Sequence, residues 1–134
     1  MDLRLKYVSL ALIVSALQFG PMFGGIHHST AAQYDVSKTI NITGTISRLD
    51  WSNPHVHITI DAKANGNVNQ HWDVELGSPG ATIVAGFSKE LLAPGTTVTV
   101  TGFPGKSGLE SDLTLCAKQL KLANGMTATF TVGI

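Results

Sequence analysis

Between residues 53 and 61 a proline turn runs straight into strict alternation, Asn53-Pro54-His55-Val56-His57-Ile58-Thr59-Ile60-Asp61. A period of two fits a half-buried strand and does not fit a helix. Proline removes a backbone donor and pushes the residue before it out of the helical region, so the chain turns at Asn53 before the strand begins. Val56, Ile58 and Ile60 then point to one side and can build a core, while His55, His57, Thr59 and Asp61 point to the other. Two imidazoles two residues apart on a strand have Cα atoms about 6.5 to 7 Å apart, a spacing that can close on one metal ion. Trp51 stands just ahead of the turn, placed either to plug the end of a core or to stack on a ligand.

The same period recurs along the chain. Ile40, Ile42, Gly44 and Ile46 alternate with Thr39, Asn41, Thr43 and Thr45, predicting a first strand from Lys38 to about Leu49. The second strand is His55 to Ala62, and Asn65-Gly66 marks a hairpin loop. Asn69 to Leu76 follows as the third strand, with Trp72, Val74 and Leu76 on its inner face and His71, Asp73 and Glu75 on the other. Ser78 is placed to cap a helix with Pro79 at its first position, and Ile83, Val84, Phe87, Leu91 and Leu92 recur at helical spacing, predicting one short amphipathic helix over Gly80 to Leu92. Pro94-Gly95 stops it. Thr96 to Phe103 alternates again, and Asp112 to Leu122 reads as a strand with a bulge near Lys118, where the apolar parity changes from Leu113, Leu115 and Ala117 to Leu120 and Leu122. Asn124-Gly125 turns the chain into a last strand over Met126 to Val132.

Three strands, one short helix and two or three more strands is the order of the oligonucleotide/oligosaccharide-binding (OB) barrel, a mainly β, Greek-key barrel with its helix between the third and fourth strands. An open β-sandwich with a covering helix has the same periodicity. The motifs also carry a resemblance. His27-His28-Ser29, Tyr34-Asp35, Thr43-Gly44-Thr45, Trp51-Ser52-Asn53-Pro54-His55, Trp72-Asp73-Val74-Glu75-Leu76-Gly77-Ser78-Pro79, Pro94-Gly95 and Val98-Thr99-Val100-Thr101-Gly102 together resemble a family of small exported bacterial proteins of unknown function. The resemblance runs over most of the chain from His27 onward and implies export and a compact β domain. Members carry an Ala-x-Ala cleavage signal just before the His-His pair, where this chain has Phe23-Gly24-Gly25-Ile26.

Export is expected on independent grounds. Arg4 and Lys6 precede an almost unbroken apolar run from Tyr7 to Gln18, followed by Gly20, Pro21, Gly24 and Gly25. Residues 1–26 are a signal peptide or, uncleaved, an N-terminal anchor to the inner membrane, since Tyr7 to Ile26 has about the length of a membrane span. Residues 27–37 are expected to form a flexible segment and 38–134 the barrel, in the periplasm. Setting aside Arg4, Lys6 and Asp2 leaves seven basic and eight acidic residues, which lacks the positive field that nucleic-acid binding uses. The one cysteine, Cys116, rules out an internal disulfide and shares parity with Thr114 and Lys118, suggesting a less buried face.

If the second and third strands pair about Asn65-Gly66, residues whose numbers sum to about 132 lie opposite each other: His57 with Glu75, Thr59 with Asp73, Asp61 with His71. His55, His57, His71, Asp73 and Glu75 then form the candidate metal-binding set, with His27 and His28 able to complete it and Trp51 as a ligand or partner contact. Imidazole with carboxylate suits Cu or Zn. Ordinary cross-strand polar pairs on a solvated face explain the same residues without any ligand. Ser29, Ser78 and Ser107 lack a nucleophile elbow, and Asp73 and Glu75 share one strand with no acid across a cleft, so catalysis is not expected. The expectation is a non-enzymatic exported binding module for a divalent transition metal, or an accessory subunit that recognises another envelope protein without metal.

Overall fold

A computed structural model describes residues 29–64, 68–108 and 112–132. The expected leader, His27, His28 and the Asn65-Gly66 loop lie outside them. After a single helical turn, α1 (Thr30–Gln33), the elements are β1 (Ile40–Asp50), β2 (His57–Ala64), β3 (Val68–Glu75), α2 (Pro79–Val84), β4 (Thr97–Pro104), β5 (Thr114–Leu122) and β6 (Thr127–Thr129). β1 pairs antiparallel with both β2 and β4, β2 with β3, and β4 with β5. A short parallel pairing of Asp73, Val74 and Glu75 with Thr114, Leu115 and Cys116 closes the ring β1-β2-β3-β5-β4, and β6 adds a sixth strand on β5. With one helix between β3 and β4, this is the OB-type barrel that the element order predicts.

Alternation fills the interior. Ile42 and Ile46 of β1, Ile58 and Ile60 of β2, Val74 of β3, Val98 and Val100 of β4, and Leu115, Ala117, Leu120 and Leu122 of β5 form one core, joined by Val56, Leu76, Phe87, Leu92 and Phe130. Two bulges keep that alternation in phase with the barrel. Ser47 is the extra residue between the pairs Ile46–Ile60 and Arg48–Thr59, so Leu49 turns inward while Arg48 and Asp50 turn out. Lys118 is the extra residue between Thr101–Gln119 and Gly102–Ala117, at the position where the apolar parity of β5 changes. Gly44 and Gly102 permit close strand approach: a Cβ at Gly44 would lie 2.3 Å from the Asp61 carbonyl oxygen, and one at Gly102 would lie 2.2 Å from that of Cys116.

The helix is shorter than its apolar spacing predicts. Ser78 caps it, accepting from the Ala81 amide, and Pro79 opens it, as expected. It ends at Val84 because Gly86 takes a positive φ of 99°, and its amide and that of Phe87 donate to the carbonyls of Ile83 and Thr82 at 2.9 and 3.1 Å. Phe87 and Leu92 enter the core from the turns that follow, while Ile83 and Val84 are left exposed. The Gly86 stop signal outweighs the spacing.

Part of the segment after Ser29 packs against β4 and β5. Tyr34 is buried against Phe103 and Cys116, the Asp35 amide donates to Pro104 O at 2.8 Å, and the Lys106 amide donates to Gln33 O at 3.0 Å. Cys116 does face away from the main core, as its parity predicts, yet it is only 6 % exposed because Tyr34 and Phe103 cover it.

Candidate functional site

β2 and β3 hold the expected register: His57 is opposite Glu75, Thr59 opposite Asp73 and Asp61 opposite His71. With the even-numbered residues of β2 committed to the core, the odd-numbered side chains face out, and three imidazole–carboxylate pairs line this face. His71 Nδ1 lies 2.7 Å from Asp61 Oδ1, the pair that register alone implies. The other two are displaced by one step along the strands. His57 Nδ1 contacts Asp73 Oδ1 at 3.2 Å, diagonally, and His55, just ahead of β2, contacts Glu75 Oε1 at 2.7 Å. Glu75, opposite His57 in register, instead meets His55 through Oε1 and accepts from the Tyr34 hydroxyl on Oε2 at 2.8 Å.

The pairs differ in how firmly they are held. His71 is 71 % exposed and Asp61 44 %, so that pair is a solvated surface contact worth little. Glu75, at 18 % exposure and bonded on both oxygens, is the most constrained acid on the face. The Asp73 carboxylate holds the His57 imidazole above its ordinary pKa, against the opposing effect of partial burial, and the charges of Glu75 and Asp50 add to the rise. Hydrogen bonds from His71 and then Ser47 hold Asp61 below the ordinary carboxylate value. Burial, reinforced by Glu75 through its hydrogen bond and its charge, raises the Tyr34 phenol, so it remains a donor. Burial and then the charge of Glu75 raise the Cys116 thiol to about 11, which keeps it protonated.

Beside His57 the sheet opens into a groove of about 460 Å³ lined by Arg48, Asp50, His57, Thr59 and Asp73. Trp51 packs half-buried against the core and is not among the residues that line the groove. Among the described residues no three His, Cys, Asp or Glu side chains converge as one bound ion would require. Asp73 and Glu75 meet His57 and His55, respectively, one acid to each imidazole. Sequence reasoning missed Tyr34 and the proximity of Cys116 to Glu75. Both depend on contacts between distant parts of the chain, Tyr34 lying 41 residues from Glu75.

Comparison with curated proteins finds no match. Among solved structures, the mitochondrial single-stranded DNA-binding protein Rim1 from S. cerevisiae is similar with 15 % identity and a TM-score of 0.47, over 64 % of this chain and 93 % of that one. The S. pombe Stn1–Ten1 complex is similar with 18 % identity and a TM-score of 0.43, over 63 % of this chain and 57 % of that one. The model of a family of unknown function, DUF6152, matches residues 19–114, a span that takes in both histidine-bearing strands, the Tyr34 segment and the capped helix; the chain belongs to that family.

Proposed function

We propose that this protein is an exported, non-enzymatic binding module that takes a divalent transition metal, Cu(II) or Zn(II), through Nε2 of His55 and His57. The observation that supports this reading is that His55 and His57, two residues apart, each meet a carboxylate through Nδ1, an arrangement His71 shares with Asp61 at a more exposed position. A carboxylate on one ring nitrogen fixes the tautomer that leaves the other nitrogen with a free lone pair, and ligating histidines are commonly held in this way. Glu75 and Asp73 are then orienting partners and not direct ligands. Two imidazoles leave coordination positions for water or for His27 and His28. His71, engaged with the exposed Asp61, is outside this set.

Calorimetric titration of the mature domain with Cu(II) and Zn(II), together with thermal shift, tests the reading. Binding is expected to weaken as pH falls through the imidazole range, because a ligating histidine must be neutral. It should disappear in the His55→Ala/His57→Ala double variant and survive in His71→Ala. Wild-type protein with no heat of binding and no thermal shift on adding either metal would sink it.

The groove favours a second reading, an accessory subunit that recognises another envelope protein without metal. Its volume lies in the range of sites that hold a small ligand or a few inserted side chains. On this face Asp50, Asp61, Asp73 and Glu75 stand against Arg48 and Lys63, a balance that disfavours a phosphate backbone as the partner.

A further inference from the structure

We infer that Tyr34 is a positioning residue for His55, so that docking of the segment 29–38 onto the barrel governs the metal-binding competence of this end of the face. The inference rests on the metal reading above and adds a means of regulation to it. Two backbone hydrogen bonds fix the segment, the Asp35 amide on Pro104 O and the Lys106 amide on Gln33 O, and together they make the antiparallel bridge between Tyr34 and Gly105. They bring the phenol across 41 residues of sequence to Glu75, where the hydroxyl donates to Oε2 at 2.8 Å. The other oxygen, Oε1, meets His55, whose Nδ1 lies 2.7 Å away.

A carboxylate held on both oxygens cannot rotate freely, so the acceptor presented to Nδ1 has one fixed direction. His55 is thereby kept as the Nδ1–H tautomer, which leaves the free lone pair on Nε2. Without the hydroxyl, Glu75 recovers torsional freedom and the ring loses its preferred tautomer. Other groups packed around Glu75 do not replace the donor. Cys116, its partner in the β3–β5 ladder, is a protonated thiol and only a weak donor. His57 provides an internal comparison, because its partner Asp73 is 55 % exposed and is bonded to His57 rather than to the segment.

The test is ¹⁵N side-chain NMR of the histidines in metal-free protein at alkaline pH, where the imidazoles are neutral, comparing wild type with Tyr34→Phe. This variant keeps the buried ring and removes only the hydroxyl. The His55 signals are expected to move from the Nδ1–H pattern toward a mixture, the His57 signals to stay in place, and Cu(II) affinity to fall about tenfold, the low end for outer-sphere partners of a ligating histidine. An unchanged His55 tautomer, or an equal shift at His57, would overturn the inference. A wild-type protein that binds no metal while the His55 tautomer still responds would overturn the metal reading and leave the positioning role supported.

Discussion

Gly102 is the position where a single methyl group should be most damaging. It lies on β4 where the Lys118 bulge brings Ala117 opposite, and a Cβ there would fall 2.2 Å from Cys116 O, 2.9 Å from Cys116 C and 3.1 Å from Ala117 Cα. All three are main-chain atoms of β5, a strand paired with β3, β4 and β6, so none can yield as the tip of a flexible side chain would. Restoring van der Waals distance requires a displacement of about 1 Å or more. Overpacking of this kind costs typically about 1–3 kcal/mol, and the limited freedom of alanine in the unfolded chain returns about 0.5–1 kcal/mol. A net loss of about 1 kcal/mol remains, which for a domain of this size lowers Tm by about 5 °C. Thermal unfolding followed by circular dichroism should show this for Gly102→Ala. Gly80→Ala is the control, because it sits in α2 with nothing within 4 Å of the added Cβ and should gain about 0.4–1 kcal/mol. A Gly102→Ala protein that melts at or above the wild-type temperature would refute the close-approach argument.

Two further expectations concern ionisation. Since Asp73 raises the His57 pKa, the pair stabilises the fold fully below the ordinary imidazole value of 6.5 and loses that contribution as pH rises through the raised value. Urea unfolding of metal-free Asp73→Asn should therefore show a deficit of under about 1 kcal/mol at pH 6 that shrinks toward pH 9, the pair being half-exposed; a deficit that grows with pH would reverse the sign. The Cys116 thiol, buried and raised to about 11, should react slowly with an alkylating reagent at neutral pH. Tyr34→Ala should speed its modification by about tenfold or more by uncovering it, as mass spectrometry would read. Equal rates would mean that Tyr34 is not the cover.

Local pattern determined much of this protein. Alternation over residues 40 to 61 and 69 to 76 set the strands, the Asn65-Gly66 signal set a register in which Asp61 meets His71, and the parity change in β5 located the bulge at Lys118. Each depends on backbone periodicity or on neighbours along one hairpin, which the order of residues records directly. The apolar spacing from Ile83 to Leu92 pointed to a longer helix than α2, which the positive φ of Gly86 ends at Val84. Tertiary structure alone decided who bonds to whom on the polar face. Register placed His57 opposite Glu75, but Glu75 meets His55 on one oxygen and, on the other, Tyr34, which arrives from outside the hairpin. The same docking covers a cysteine whose parity had pointed outward. Periodicity records which face a residue takes; what packs on that face is decided by chain segments far apart in sequence, once the β3–β5 pairing closes the barrel.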